Sequence, residues 1–249
     1  MATNANLSAT NHEEFRLLIL AAMPKEYGLI MPWLEQPHAL ASFTTTAYVG
    51  NIGAAECLIV MTGIGKVNAA VRAYQAQLQF QPDLILNIGV CGALRTDLSI
   101  ATPVLSSAFT YHDVWCGEGN QFGQVQGCPP IYEVGPKILS TFARVAPSLQ
   151  QGLFCCGDFF MPSQLYIAQL LEHFPEAMTV DMESTAIAQV AYMTRTPCAS
   201  LRIISDTPIT HFDHAKQYSE FWDAPEGAFI HLHDVLKDFL AHYANHEQQ

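Results

Sequence analysis

Short apolar runs alternate along the chain with longer amphipathic stretches, and turns rich in Gly, Pro and Asn separate them. Residues 15–22 form the first apolar run and predict a strand. Pro24 suits the first turn of a helix that continues over 25–34. Residues 43–49 and 56–61 predict two strands, with Asn51-Ile52-Gly53 supplying a hairpin turn. Residues 66–78 predict a helix after the tight loop Thr62-Gly63-Ile64-Gly65. The run 82–88 is continuously apolar, as a strand buried on both faces should be, and the Gly-containing segment 87–92 predicts the turn that ends it. A strand at 104–111 precedes a long loop at 112–130, and long loops in compact domains are usually functional or disordered.

The second half repeats the alternation. Helices are predicted at 136–145, 163–174 and 181–193, and strands at 152–156 and 198–205. A helical pattern over 218–243 is broken near Pro225. The order predicts an α/β fold in which a central mixed, mostly parallel, twisted sheet is flanked by helices. One domain over 15–249 follows a polar, disordered leader at 1–14.

Composition narrows the function classes. Half of the 249 residues are hydrophobic, enough for one well-buried core. A net charge of −12 argues against a nucleic-acid groove or an anionic membrane surface, since both need Lys and Arg. No apolar run is long enough to span a bilayer, and the N-terminus lacks a secretory pattern. Seven cysteines with no C-x-x-C fit buried free thiols in a reducing compartment. A cytoplasmic protein is the expectation.

The candidate chemistry is acid–base. Gly63-Ile64-Gly65 follows a strand, but the third glycine of a dinucleotide fingerprint is Asn68, so a tight turn is the better reading. Neither a Walker loop nor a G-x-S-x-G elbow is present. The pairs His211/His214 and His231/His233 have metal-like spacing, yet neither has a Cys or Glu in ligand spacing. They read as surface histidines, and no metal or organic cofactor is expected. Acids remain. Asp181 and Glu183 open a predicted helix, Asp206 closes a predicted buried strand, and Glu26 follows the first strand. Strand ends of an open α/β sheet face one crevice, where ligands usually bind. Carboxyls on two sides of a sugar suit displacement by water at the anomeric carbon.

Four segments carry a family resemblance: Ala21-Ala22-Met23-Pro24-Lys25-Glu26, Thr62-Gly63-Ile64-Gly65-Lys66-Val67, Asn87-Ile88-Gly89-Val90-Cys91-Gly92, and Asp181-Met182-Glu183 with Ile204-Ser205-Asp206. The chain resembles the purine nucleoside phosphorylase/uridine phosphorylase superfamily, and most closely the methylthioadenosine/S-adenosylhomocysteine nucleosidases. The resemblance implies a nucleoside phosphorylase-like fold, a small-molecule nucleoside substrate and a homodimer. It implies that Glu26 orients the attacking water, that Asp206 protonates purine N7, and that Glu183 holds the ribose hydroxyls against Met182. Met23, Phe160, Met161, Asp181, Arg202 and Ser205 complete the implied substrate site, with the purine stacked at Phe160 and Met161. Arg202 and Ser205 orient the carboxylates.

The departures bear on substrate. Phosphorylases of this superfamily hold phosphate with an arginine and a serine in the stretch where this chain has Asn87 and Val90. Hydrolysis is therefore expected rather than phosphorolysis. The nucleosidases usually have a serine where Val90 stands and a glutamate where Asp181 stands. The loop at 115–126 is more polar than their 5′-alkylthio wall, so a polar 5′ substituent or a futalosine-type substrate is an open alternative. A phosphorylase and a non-catalytic nucleoside-binding protein are the others.

Overall fold

The computed structural model describes residues 14–210 and 213–243. The predicted leader lies outside the described residues except for Glu14, and so does His211. In chain order the first half contains β1 (Arg16–Ala21), α1 (Pro24–Ile30), β2 (Glu35–Ala39), β3 (Ala47–Ile52), β4 (Ala55–Met61), α2 (Lys66–Phe80), β5 (Leu84–Ala93) and β6 (Pro103–Tyr111). The second half contains β7 (Tyr132–Glu133), α3 (Pro136–Val145), β8 (Gln150–Cys156), α4 (Gln164–His173), β9 (Ala177–Asp181), α5 (Ser184–Thr194), β10 (Cys198–Asp206), α6 (His214–Phe221) and α7 (Glu226–Tyr243).

β5 is the hub of one mixed sheet. It pairs β1 and β10 in parallel, one on each side, and every one of its residues is buried. From β1 the sheet continues to β4 in parallel, then antiparallel to β3 and β2. From β10 it runs antiparallel to β6, then parallel to β8 and β9. Two residue pairs tie β9 back to β5, so this half of the sheet curls round. Helices cover it, with α2 packed on α5, α3 on α7 and α6 on β10. Phe142 of α3 stacks on Phe239 of α7 with centroids 4.0 Å apart. No helix among the described residues is long and apolar enough to cross a membrane.

Four differences from the sequence reading matter. The segment read as a turn at 87–92 is strand: β5 runs on to Ala93 because β10 pairs it as far as Gly92. Its glycines serve close approach. A Cβ at Gly89 would lie 2.4 Å from Glu26 Oε1, and one at Gly92 would lie 3.1 Å from Val180. Asp181 ends strand β9 rather than opening a helix, and α5 starts at Ser184. The strand predicted at 43–49 is shifted to β3, which forms the expected hairpin with β4 and adds β2 on its other edge. The helix predicted over 25–34 stops at Ile30 and gives way to a 3-10 turn at Met31–Trp33.

Four of the seven free cysteines are buried, as expected, but Cys116 is exposed.

Candidate active site

The carboxyl ends of β1, β5, β9 and β10 converge on one cavity of about 220 Å³. Met23, Glu26, Val90, Phe160, Asp181, Met182, Glu183, Arg202, Ser205 and Asp206 all line it. Met161 lines an adjoining recess of about 40 Å³ that shares Phe160, Asp181, Met182 and Asp206. A larger pocket of about 640 Å³ lies at the end of α5 and the start of β10, but Glu133 is the only acid lining it among the described residues. The convergence of acids singles out the smaller cavity.

Glu26 stands at the third position of α1, and its carboxylate turns back to the free N–H groups of the helix start. Oε2 accepts from Ala22 N at 3.0 Å and Met23 N at 3.1 Å, and Oε1 accepts from Val90 N at 2.9 Å. An ionised carboxylate has about four acceptor positions, so one remains for a water. Burial pushes this carboxyl up, while Arg202 and the three N–H groups pull it down. The donors favour the charged form that a base needs.

Glu183 precedes α5 and reaches two elements far away in sequence. Its Oε1 accepts from Gly65 N at 3.0 Å, and its Oε2 accepts from Arg202 Nη2 at 3.3 Å. Burial raises it to about 7, with Arg202 lowering and Asp181 and Glu26 raising it. The Gly63-Ile64-Gly65 turn thus delivers a backbone donor to a carboxylate. Asp181 Oδ1 accepts from Glu183 N at 2.8 Å and Ser184 N at 2.7 Å. It caps the α5 start and fixes where Glu183 points.

Asp206, at the end of β10, has different company. Ser205 Oγ donates to its Oδ1 at 2.7 Å, and His214 Nδ1 lies 3.3 Å from its Oδ2. Burial pushes this carboxyl up, and Ser205 and His214 pull it down.

The Phosphorylase superfamily model matches residues 16–240. The chain belongs to the phosphorylase superfamily. Within that superfamily, a 5′-methylthioadenosine/S-adenosylhomocysteine nucleosidase of Chromohalobacter salexigens is 32% identical over 197 residues, spanning 77% of this chain and 84% of its own. The solved S-adenosylhomocysteine nucleosidase from Streptococcus pyogenes, in complex with 5-methylthiotubericidin, aligns with a TM-score of 0.84. Its identity is 29%, over 92% of this chain and 98% of that one. Futalosine hydrolase of Helicobacter pylori aligns with a TM-score of 0.83 over 92% of this chain and 99% of that one; at 23% identity this likeness is one of fold.

The cations of a cavity bear on which nucleophile it can hold. Arg202 is the only Lys or Arg lining this cavity among the described residues, and each of its three guanidinium nitrogens donates to a protein acceptor. Nε donates to Ser200 Oγ at 3.2 Å, Nη1 to Val90 O at 2.6 Å, and Nη2 to Asn87 Oδ1 at 2.5 Å as well as to Glu183. Asn87 and Val90 thus hold an arginine inside the protein.

Sequence reasoning left six lining residues outside the expected site and misread one neighbour. Ala22, Ile64, Cys91, Gly92, Val180 and Tyr218 also line the cavity, and Tyr218 Oη donates to Met23 Sδ at 3.3 Å. His214, read as a surface residue, is 9% exposed and sits against Asp206. The available signal was Asp213, a helix cap that places His214 in the first turn of α6. His233 is half-buried, stacked on Trp33 at 5.0 Å.

Proposed function

We propose that this chain hydrolyses the N-glycosidic bond of a purine nucleoside and releases the base. The substrate is 5′-methylthioadenosine, S-adenosylhomocysteine or a related 5′-modified adenosine. The observation that carries the reading is that four buried acids, Glu26, Asp181, Glu183 and Asp206, share one cavity whose only cation among the described residues is already engaged. An anionic nucleophile would meet Glu26 with no free cation to hold it, whereas water is neutral and finds an acceptor there.

Each acid has a distinct task. Glu26 takes a proton from water as the oxygen bonds to the anomeric carbon. Glu183 binds the ribose hydroxyls and faces the positive charge that develops on the sugar. Asp206 gives its proton to purine N7, and the C–N bonding pair moves into the departing base. Phe160 and Met182 cover purine and ribose. Ser205 and Arg202 orient Asp206 and Glu183, and Asp181 acts through the α5 start.

The working unit is a homodimer. Ile64, Val67, Val71, Tyr74 and Leu78 recur at three- and four-residue steps and are all exposed, giving α2 an apolar outer face. That stripe begins at Ile64, a residue of the cavity wall, so a second copy packed on it would close the 5′ end of the site.

Base release would be measured from 5′-methylthioadenosine, S-adenosylhomocysteine, 5′-deoxyadenosine, adenosine, inosine and futalosine, with and without phosphate, alongside sedimentation. Phosphate-independent adenine release from the thio-nucleosides by a dimer is expected. Turnover that requires phosphate would make the chain a phosphorylase, and binding without base release would make it a nucleoside-binding protein.

A further inference from the structure

His214 makes contacts that fix its protonation. Its Nε2 lies 3.0 Å from Met161 O, and a carbonyl oxygen only accepts. Nε2 therefore carries a hydrogen. Its Nδ1 faces Asp206 Oδ2 at 3.3 Å. A bare Nδ1 facing a carboxylate would set two lone pairs against each other. Protons on both would do the same with two hydrogens. One proton between them satisfies both atoms, on either side of the contact.

The surroundings keep that proton in place. Phe160 stacks on the imidazole with centroids 4.7 Å apart, which excludes solvent from one face. Glu26, Asp181 and Glu183 line the same cavity and favour positive charge, while Arg202 opposes it. Cys91 from β5 and Tyr218 from α6 face Asp206 as neutral groups, since burial pushes both upward.

We propose that Asp206 and His214 hold one shared proton, and that His214 is a positioning residue keeping this proton at Asp206 for delivery to the base. The inference rests on Asp206 being the acid of the reaction proposed above. In turnover the proton leaves the pair for the purine nitrogen, and the C–N bonding pair moves into the base. Water adds its oxygen to the sugar and loses a proton to Glu26. The pair is left as an Asp206 carboxylate beside a neutral His214 protonated at Nε2. One proton from solvent, equal to the one released from water, restores it.

His214 lowers the affinity of Asp206 itself for a proton, yet two basic sites together bind one proton more tightly than one site does, so the pair as a whole retains it to higher pH than Asp206 alone. A histidine whose role is only to tie α6 to the Met161 segment has no such consequence.

The test is His214→Gln, which keeps an N–H donor for Met161 O but has no titratable proton. kcat and KM would be followed across pH on a nucleoside that the wild type turns over. Expected are a KM within about twofold and a kcat roughly tenfold lower at neutral pH, a fraction of the usual general-acid contribution. The alkaline limb of kcat should move to lower pH. A His214→Gln profile superimposable on that of the wild type would overturn the shared proton while leaving the hydrolase reading intact. Imidazole 15N NMR tests the same point without turnover. His214 should carry hydrogen on Nε2, and a bare Nε2 overturns the inference. A wild type inactive on every nucleoside overturns the functional reading instead, and the NMR result then decides the proton by itself.

Discussion

Glu26 and Asp206 are both buried acids on one cavity wall, and burial pushes both upward, yet the protein treats them in opposite ways. Glu26 receives three backbone N–H groups, donors that cannot give up their protons and that favour the carboxylate. Asp206 is met by a hydroxyl and an imidazole, and the imidazole can exchange a proton with it. Desolvation alone would make both groups reluctant acids. In the proposed reaction, the hydrogen-bond partners separate them into a fixed base and a proton carrier. A reaction that takes a proton from water on one side and gives one to a base on the other needs that separation.

The largest effects should come from erasing either side. Asp206→Asn keeps the shape and a polar group but removes the donated proton, so kcat should fall about a thousandfold while purine still binds. Steady-state turnover with adenine-binding calorimetry checks this, and full activity would move the acid elsewhere. Glu26→Gln should cost as much or more, because its amide nitrogen would face backbone donors that have lost their acceptor. Rescue of that variant by phosphate would mean that the nucleophile is not water.

A smaller effect follows from displacing the base without removing it. The Cβ of Gly89→Ala would lie 2.4 Å from Glu26 Oε1, so the carboxylate must shift. A displacement near 1 Å typically costs about a hundredfold. The expected signature is a reduced kcat with adenine affinity preserved; a wild-type kcat would show that Glu26 has room to move.

The pH profile compares the two sides within one enzyme. Glu183 is raised to about 7, so it is protonated below that value and gains its charge as pH rises through it. kcat/KM should therefore climb across that region, and then fall at higher pH as the proton held at Asp206 is lost. A profile flat through 7 would mean that the Glu183 charge is not needed.

Smallest is Ser205→Ala. Ser205 donates 2.7 Å from Asp206 Oδ1 and pulls that carboxyl down. Without it Asp206 holds its proton more tightly, and the alkaline limb should move to higher pH, with kcat changing by no more than about tenfold. This is the opposite direction to His214→Gln, so the two variants distinguish a donor to the carboxylate from a partner that shares its proton.

Much of this was legible in one dimension. The apolar runs of β1, β4, β8 and β10 and the amphipathic α2, α3 and α7 follow from periodicity, because burial on one or two faces leaves a repeat in the sequence itself. β2 left no such trace: Glu35–Ala39 is polar, exposed, interrupted by Pro37, and joined to β3 by backbone pairing. β9 was obscured for another reason. Asp181-Met182-Glu183-Ser184 has the chemistry of a helix start, and Asp181 does cap α5, but from the end of a strand. Glycines 89 and 92 read as a turn because sequence does not distinguish a glycine needed for a positive φ from one needed for close approach.

By itself the sequence determined the α/β alternation and the segments that bear the acids. Those features depend on residue type and local spacing. Only the tertiary structure decided how each acid is held. Val90 N reaches Glu26 across 64 positions, Gly65 N reaches Glu183 across 118, and Arg202 Nη2 reaches Asn87 across 115. His214 lies only eight residues beyond Asp206, but it faces that carboxylate because α6 packs back on β10. A carboxylate's role is set by what donates to it within about 3 Å, and those neighbours are brought together by closure of the sheet rather than by adjacency along the chain.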